Sequence, residues 1–279
     1  MMMTILLSAL LQARQNPSPM VEHIREHRRL TERPPSGDRW DLRRGRLFVP
    51  AALNRKKPAT LVIHFHGAPW IAEQAAARRR QTAAVAVHIG AGSAVYSREF
   101  EDKSLFAALL DEAAARSGVR FNRVLLTSYS AGYGAIRKIL EDPANWARID
   151  GVLTADSIHA GYATGSPGPL ESSLTADNLA AFTAFARQAV AGRKRMLVTH
   201  SEIFPGTFAS TTETADFLLK QLGLRRKPVL RWGPMGMQQL AETRRGRFAV
   251  LAYAGNSAPD HVDHLHSLPE LLALLERLR

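Results

Sequence analysis

The apolar residues of this chain follow two alternating patterns from residue 43 onward. Short, nearly continuous apolar runs that suit buried strands alternate with stretches in which apolar residues recur at helical spacing. The predicted strands are 45–50, 59–66, 83–90, 123–128, 151–156, 195–200 and 247–255. The predicted helices are 104–118, 135–140, 176–190, 212–223 and 269–279. This order predicts an α/β fold in which a mostly parallel central sheet is flanked by helices, as a three-layer sandwich.

Length and composition indicate one folded unit. The chain has 279 residues, of which 46% are apolar and 22% charged, as in ordinary globular proteins. Residues 20–31 can form a short polar helix, and the prolines and glycine that follow would end it. We therefore predict an N-terminal arm at 1–42, with a candidate leader segment at 1–13, and a single domain at 43–279. The start only loosely resembles a secretory signal, so export and a cytoplasmic location both stay open.

Charge and cysteine content narrow the choice of partners. The net charge is +12, but the basic residues are scattered in short groups between apolar elements and accompany no aromatic stacking motif, so we expect no nucleic-acid partner. There is no cysteine, which excludes disulfides and thiolate metal sites. No run of eighteen apolar residues occurs, so no membrane span is expected. The oligomeric state cannot be read from the sequence.

A serine stands at the junction between a predicted strand and a predicted helix. Ser130 lies within SYSAG, residues 128–132, where small neighbours would allow a sharp turn that exposes its hydroxyl. The free N–H groups of the following helix could stabilise an oxyanion beside it. Ser130 is therefore a candidate nucleophile.

A serine nucleophile needs a base, and the base is oriented by a third group. Histidines 261, 264 and 266 cluster after the last predicted strand, and His261 and His264 are the candidate bases. Asp156 ends the strand 151–156 and is the preferred acid, with Glu202 as the alternative. His159 could line the site or pack in the loop after Asp156, and packing is the favoured alternative. The turn-rich loop 162–173 is predicted to form a small flap.

At this point the chain resembles the α/β-hydrolase superfamily, specifically its serine esterase and lipase-like members, from about residue 43 to the C-terminus. HFHGAPW (64–70) resembles the oxyanion loop, and SYSAG resembles the nucleophile elbow G-x-S-x-G, with Ser128 in place of the usual glycine. TAD (154–156) resembles one of two acid positions, and GNSAPDH (255–261) resembles the histidine loop.

The resemblance implies a serine carboxylesterase that cleaves a small ester through an acyl-enzyme, without a cofactor. It implies a catalytic triad of Ser130, Asp156 and His261. The oxyanion hole would be formed by the backbone N–H groups of Ala68 and Ala131. The candidate substrate-binding residues are Trp70 and Tyr129.

Two other functions stay open. A metal-dependent hydrolase could use His64 and His66, which would share one face of a strand, together with His261 and His264. No H-E-x-x-H pattern accompanies them. The other alternative is a non-catalytic binding protein that keeps the fold. It is suggested by Ser128, which stands where the elbow usually has glycine, and by the presence of two candidate acids.

Overall fold

The computed structural model describes residues 25–163 and 173–279. The candidate leader at 1–13 lies outside these residues, as does most of the loop predicted as a flap. No helix in the described ranges is long and apolar enough to cross a membrane.

Ten strands form one sheet in the described part of the chain. They are β1 (Gly37–Asp41), β2 (Arg46–Pro50), β3 (Ala59–Phe65), β4 (Thr82–Val87), β5 (Phe121–Tyr129), β6 (Gly151–Ala155), β7 (Arg195–His200), β8 (Lys227–Trp232), β9 (Gln238–Arg245) and β10 (Phe248–Tyr253). Their order is β1-β2-β4-β3-β5-β6-β7-β10-β9-β8. The strands from β4 to β10 in this order are parallel to one another, and antiparallel strands lie at both edges.

Helices cover both faces of this sheet. They are α1 (Pro69–Ala77), α2 (Ser93–Glu99), α3 (Lys103–Ser117), α4 (Tyr133–Glu141), α5 (Ala180–Val190), α6 (Thr211–Gln221), α7 (Ala258–His266) and α8 (Leu268–Arg277). One apolar cluster joins the sheet to helices α2 to α6, and a second joins it to α1, α7 and α8. The predicted three-layer α/β fold is confirmed.

Strand β3 shows why the central runs are continuously apolar. Leu61, Ile63 and Phe65 pack in the first cluster, whereas Val62 packs in the second. Successive side chains of a strand point to opposite faces, so a strand covered on both faces needs apolar residues at every position.

The structure differs from the predicted elements at the edges of the sheet. β1 lies within the predicted arm and pairs with β2. The edge strand β8 and its neighbour β9 were not predicted, because both are rich in polar residues and lack the apolar run that identifies a central strand. Residues 25–31 are irregular rather than helical.

Candidate active site

The carboxyl ends of three neighbouring strands carry strained backbone. β5 lies between β3 and β6 in the sheet, and these strands are followed by His66, Ser130 and Asp156. Their φ angles are 71°, 46° and 47°, in the left-handed region that residues other than glycine rarely adopt. Across the described ranges, the other non-glycine residues with positive φ are Gln81 and Met235. Strain is thus concentrated around Ser130, as is common at functional sites.

Close packing holds the turn at Ser130. Ser130–Gly132 form a 3-10 turn that leads directly into α4. A Cβ atom at Gly132 would lie 2.1 Å from the carbonyl oxygen of Phe65, and one at Gly134 would lie 2.3 Å from that of Ser93. Glycine is therefore required at both positions, because the helix backbone lies directly against the end of β3 and the start of α2.

Ser128 occupies the position that is usually glycine in the elbow. Its side chain is completely buried, and the hydroxyl of Ser157 lies 2.8 Å from Ser128 Oγ and 2.8 Å from the carbonyl oxygen of Ser130. Ser157 can accept a hydrogen bond from Ser128 and donate one to that carbonyl. The extra hydroxymethyl group therefore fits the turn and joins a network that supports the strained residue.

Asp156 is held as a buried anion. It is 1% exposed, and its carboxylate accepts hydrogen bonds from the Ser201 amide (2.9 Å), the Ser201 hydroxyl (2.7 Å) and the Thr211 hydroxyl. Burial by itself would raise the pKa of this carboxyl. The neighbouring imidazole of His264 and the hydrogen bonds from His261 and Thr211 outweigh burial, and the pKa lies far below its usual range.

His261 lies beside this carboxylate. Its Nδ1 atom is 2.7 Å from Asp156 Oδ2, and because an ionised carboxylate only accepts, Nδ1 carries the proton and Nε2 has a free lone pair. His261 lies near the start of α7, whose first turn is closed by reciprocal hydrogen bonds between Ser257 and Asp260. The predicted histidine loop is therefore the start of a helix, which fixes the direction of the ring.

The alternative acid and base lie elsewhere. Glu202 is exposed, and its carboxylate accepts a 3.4 Å hydrogen bond from the Gly255 amide. His264 is buried, and its Nδ1 atom is 2.8 Å from the hydroxyl of Thr199. Neither residue lines the cavities beside Ser130.

Two cavities adjoin Ser130. The larger, of about 490 Å³, is lined by His66, Ala91, Gly92, Ser93, Ser130, Ala131, Tyr133, His159, Ala160, Gly161, Asn178 and Phe208. The smaller, of about 320 Å³, is lined by Ser130, Asp156, His159, Ser201, Ile203, Pro205, Phe208, Thr211, Asn256, Ser257, Ala258 and His261. Ser130, His159 and Phe208 belong to both walls. All three members of the predicted triad line the smaller cavity.

The predicted oxyanion donors lie on two segments next to Ser130. Ala131 is the second residue of the 3-10 turn, so its amide is among the first N–H groups of the helical segment, and it lines the larger cavity. Ala68 precedes α1 and lines neither cavity. Between His66 and Ala68, the Gly67 amide donates a 3.3 Å hydrogen bond to His88 Nδ1, which anchors this loop.

The two residues predicted to bind substrate lie outside both cavities. Trp70 packs against the second apolar cluster and makes an edge contact with His266. Tyr129 is 7% exposed, and its ring lies 4.5 Å from the His261 ring and 5.9 Å from the His66 ring, measured between centroids. The Tyr129 ring therefore packs against the rings of both His261 and His66.

The histidines of the metal alternative do not gather in the described part of the chain. His64 is buried in β3, where its Nδ1 atom is 2.8 Å from the Thr127 hydroxyl. His66 lies beyond the strand end, and its Nδ1 atom is 2.9 Å from the Tyr96 hydroxyl. Among the described residues, no three of the four histidines form a group whose ligand atoms lie within 4.8 Å of one another.

A different cluster of potential ligands occurs within residues 25–163 and 173–279. His27, Asp260 and Asp263 bring ligand atoms within 4.8 Å of one another. Arg25 contacts both carboxylates, and Arg29 contacts Asp263. These guanidinium groups already neutralise the carboxylates, so the cluster joins the N-terminal segment to the helix that carries His261.

The burial of His64 and His264 predicts that the folded protein loses stability in acid. Burial lowers the pKa of His64 to about 3 and that of His264 to about 4, against 6.5 in the unfolded chain. As pH falls below 6.5 the unfolded state binds protons that the folded state does not. Stability is therefore full above pH 6.5 and decreases toward pH 4, by about 2 kcal/mol per histidine at pH 5. Urea unfolding at pH 8 and pH 5 measures this, and equal free energies of unfolding would contradict it.

Several residues of the site were not identified from the sequence. Ser157, Ser201 and Thr211 support Ser130 or Asp156 through hydrogen bonds, and His88 anchors the oxyanion loop. Each is a common residue type in a loop or at a helix start, without a local pattern. Ser157 and Ser201 share one signal, because each directly follows a predicted buried strand at the edge of the sheet where sites form.

Comparisons with known proteins were made in sequence and in structure. No protein-family model matches the chain, and no curated protein is similar to it in sequence. Similar solved structures include LpqC, a poly(3-hydroxybutyrate) depolymerase from Bordetella parapertussis, at 15% identity over 84% of this chain and 89% of that one, with a TM-score of 0.45. An acetyl xylan esterase from Aspergillus awamori has 14% identity over 81% and 93%, with a TM-score of 0.42. The carboxylesterase CesB from Bacillus subtilis has 10% identity over 87% and 89%, with a TM-score of 0.41.

Proposed function

We propose that this chain is a serine hydrolase that cleaves carboxylic esters through an acyl-enzyme on Ser130. One observation carries the proposal: His261 Nδ1 lies 2.7 Å from Asp156 Oδ2, and both residues line a cavity together with Ser130. Asp156 and His261 are 105 positions apart in the chain. A buried carboxylate that orients a histidine beside a strained serine suits acyl transfer.

In the proposed first half-reaction, Ser130 Oγ attacks the ester carbonyl carbon while His261 Nε2 takes the hydroxyl proton. The carbonyl π electrons move onto the oxygen, and the tetrahedral intermediate forms. When it collapses, the bond from carbon to the alcohol oxygen breaks. Nε2 then gives its proton to that oxygen, and the alcohol leaves.

The second half-reaction returns the enzyme to its starting state. His261 Nε2 takes a proton from water, and the resulting hydroxide attacks the acyl-enzyme carbonyl. The bond to Ser130 Oγ breaks, and Oγ regains the proton from Nε2. Throughout, ionised Asp156 stabilises the imidazolium that forms at His261, and its low pKa keeps it charged.

The developing negative charge would lie against backbone amides. The Ala131 N–H is at the start of a helical segment that runs into α4, and Ala68 N–H is its proposed partner. The contact of Gly132 with Phe65 holds these two segments against each other. Preorganised donors of this kind need no rearrangement when the oxyanion forms.

Covalent labelling tests this proposal directly. A fluorophosphonate probe is expected to modify the folded protein on Ser130 alone, because His261 and the oxyanion donors activate that hydroxyl. Mass spectrometry of the digested protein identifies the site, and neighbouring Ser128 in the same peptide is the internal control. Heat-denatured protein should not react.

Two results would contradict the proposal in different ways. No labelling together with no hydrolysis of short-chain nitrophenyl esters would favour the non-catalytic binding protein. Hydrolysis that a chelator abolishes while Ser130 stays unlabelled would favour the metal-dependent hydrolase.

A further inference from the structure

The two cavities at Ser130 can be assigned to the two halves of an ester, on the basis of the proposed function. The alcohol oxygen must receive its proton from His261, and His261 lines the smaller cavity only. The oxyanion must face the amide of Ala131. With the alcohol in the smaller cavity, the acyl chain is left to occupy the larger cavity.

The walls of these cavities differ in their chemistry. Apart from the triad and the groups that support it, the smaller cavity has four apolar side chains, those of Ile203, Pro205, Phe208 and Ala258, and three polar ones, those of His159, Asn256 and Ser257. The larger cavity has hydrogen-bonding side chains, which are those of His66, Ser93, Tyr133, His159 and Asn178. The acyl side is thus the more polar of the two.

Most of these polar groups are already engaged with the protein. The hydroxyl of Tyr133 is 3.1 Å from Ser93 Oγ, and Asn178 Oδ1 accepts a 3.0 Å hydrogen bond from the Gly161 amide. His66 is bonded to Tyr96. Their positions are therefore fixed before a substrate enters.

His159 differs because one of its ring nitrogens is free. Nδ1 lies 2.9 Å from the carbonyl oxygen of Ala209, and since a carbonyl only accepts, Nδ1 carries the proton. Burial lowers the pKa of His159, so the ring is neutral. Nε2 is then an acceptor, and the one hydrogen bond that His159 makes within the described part of the chain is through Nδ1.

The ring of His159 is also rigidly placed. It makes edge contacts with Tyr133, at a centroid distance of 5.6 Å, and with Phe208, at 5.0 Å. A fixed, neutral acceptor on the wall of a substrate cavity selects a partner that donates a hydrogen bond. A bound substrate that has a methyl group in place of the donating group would leave Nε2 without a hydrogen-bond partner.

We propose that His159 is a specificity-determining residue that accepts a hydrogen bond from a hydroxyl group on the acyl chain. The preferred substrates are then hydroxyacyl esters of apolar alcohols. The acceptor is His159 Nε2, and the apolar alcohol lies in the smaller cavity.

The test compares nitrophenyl esters that share one leaving group. The acyl chains carry a hydroxyl on the second, third or fourth carbon, and each is paired with the chain that has methyl in its place. At least one hydroxyacyl ester is expected to exceed its methyl counterpart in kcat/KM by about 10- to 100-fold. Acetate esters of hydroxyalkyl and alkyl alcohols form the second series, in which the hydroxyl should give no advantage.

Two substitutions of His159 distinguish the role of the acceptor atom Nε2 from that of Nδ1, which anchors the ring to Ala209. In His159→Asn the amide nitrogen can still donate to Ala209 but no atom replaces Nε2, so the hydroxyacyl preference should disappear. In His159→Gln the amide reaches the position of Nε2, and part of the preference should return. Ile203→Val, in the wall of the smaller cavity alone, should keep it. Because each preference is a ratio within one protein, a partial loss of folding does not affect it.

The outcomes distinguish this inference from the proposed function. Ester hydrolysis without a hydroxyacyl preference, a preference that survives in His159→Asn, or a hydroxyl effect on the alcohol side would each overturn the role of His159 alone. Absence of both ester hydrolysis and Ser130 labelling would overturn both.

Discussion

Replacing Ser130 with alanine is expected to lower kcat/KM for short-chain nitrophenyl esters by about 10⁴- to 10⁶-fold. The hydroxyl is the proposed nucleophile. Ser201 and Ser257 also line the smaller cavity, but Ser130 is the one serine with a left-handed φ within residues 25–163 and 173–279. Ser128→Ala is the matched control. Its hydroxyl is buried against Ser157, away from both cavities, so hydrolysis should persist.

The backbone at Ser130 adds a second readout to this experiment. Its φ of 46° is strained for serine and alanine but not for glycine. Ser130→Gly is therefore expected to be inactive and more stable than the wild type by about 1 kcal/mol. Thermal or urea unfolding measures the gain. Full activity in either Ser130 variant would rule out the acyl-enzyme.

Replacing Asp156 with asparagine is expected to lower kcat by about 10⁴-fold. The amide cannot stabilise the imidazolium of His261, and it can donate to Nδ1, which would move the ring proton to Nε2 and remove the base. Steady-state hydrolysis of the same esters measures the loss.

The matched variant for Asp156 is Glu202→Gln. Glu202 is exposed and interacts with the Gly255 amide, so its neutralisation should leave hydrolysis within a few-fold of wild type. Circular dichroism verifies that Asp156→Asn is folded, and Ser201→Ala removes one hydrogen bond to Asp156 without removing its charge. If Glu202→Gln lost all ester hydrolysis while Asp156→Asn stayed active, Glu202 rather than Asp156 would be the acid.

The central sheet was readable from the sequence because its strands are buried on both faces. Burial on both faces favours apolar runs such as 196–198, and the strand 195–200 that contains it was predicted with its observed bounds. The helix at 104–118 was also readable, and α3 is capped after Ser117 by Gly118, which has a φ of 66°. The expected α/β fold, with a mostly parallel central sheet flanked by helices, is confirmed.

Some local predictions failed because neighbours outweighed the pattern. The helix predicted over 20–31 is not present at 25–31, where Arg25 and Arg29 instead contact carboxylates of α7. His159 was expected to pack in a loop, and it lies on the wall of both cavities. Both outcomes depend on elements that are distant in the chain.

The sequence by itself determined the seven strands and five helices predicted above and the position of Ser130 between small residues, because these are local properties of the chain. Tertiary structure decided that Asp156 rather than Glu202, and His261 rather than His264, lie together beside that serine. Which side chains meet depends on the strand order of the sheet and on the direction of α7. The strand order is set by pairing between strands that are separated in the chain, and α7 brings His261 to Asp156 across 105 positions, so no local pattern records these contacts.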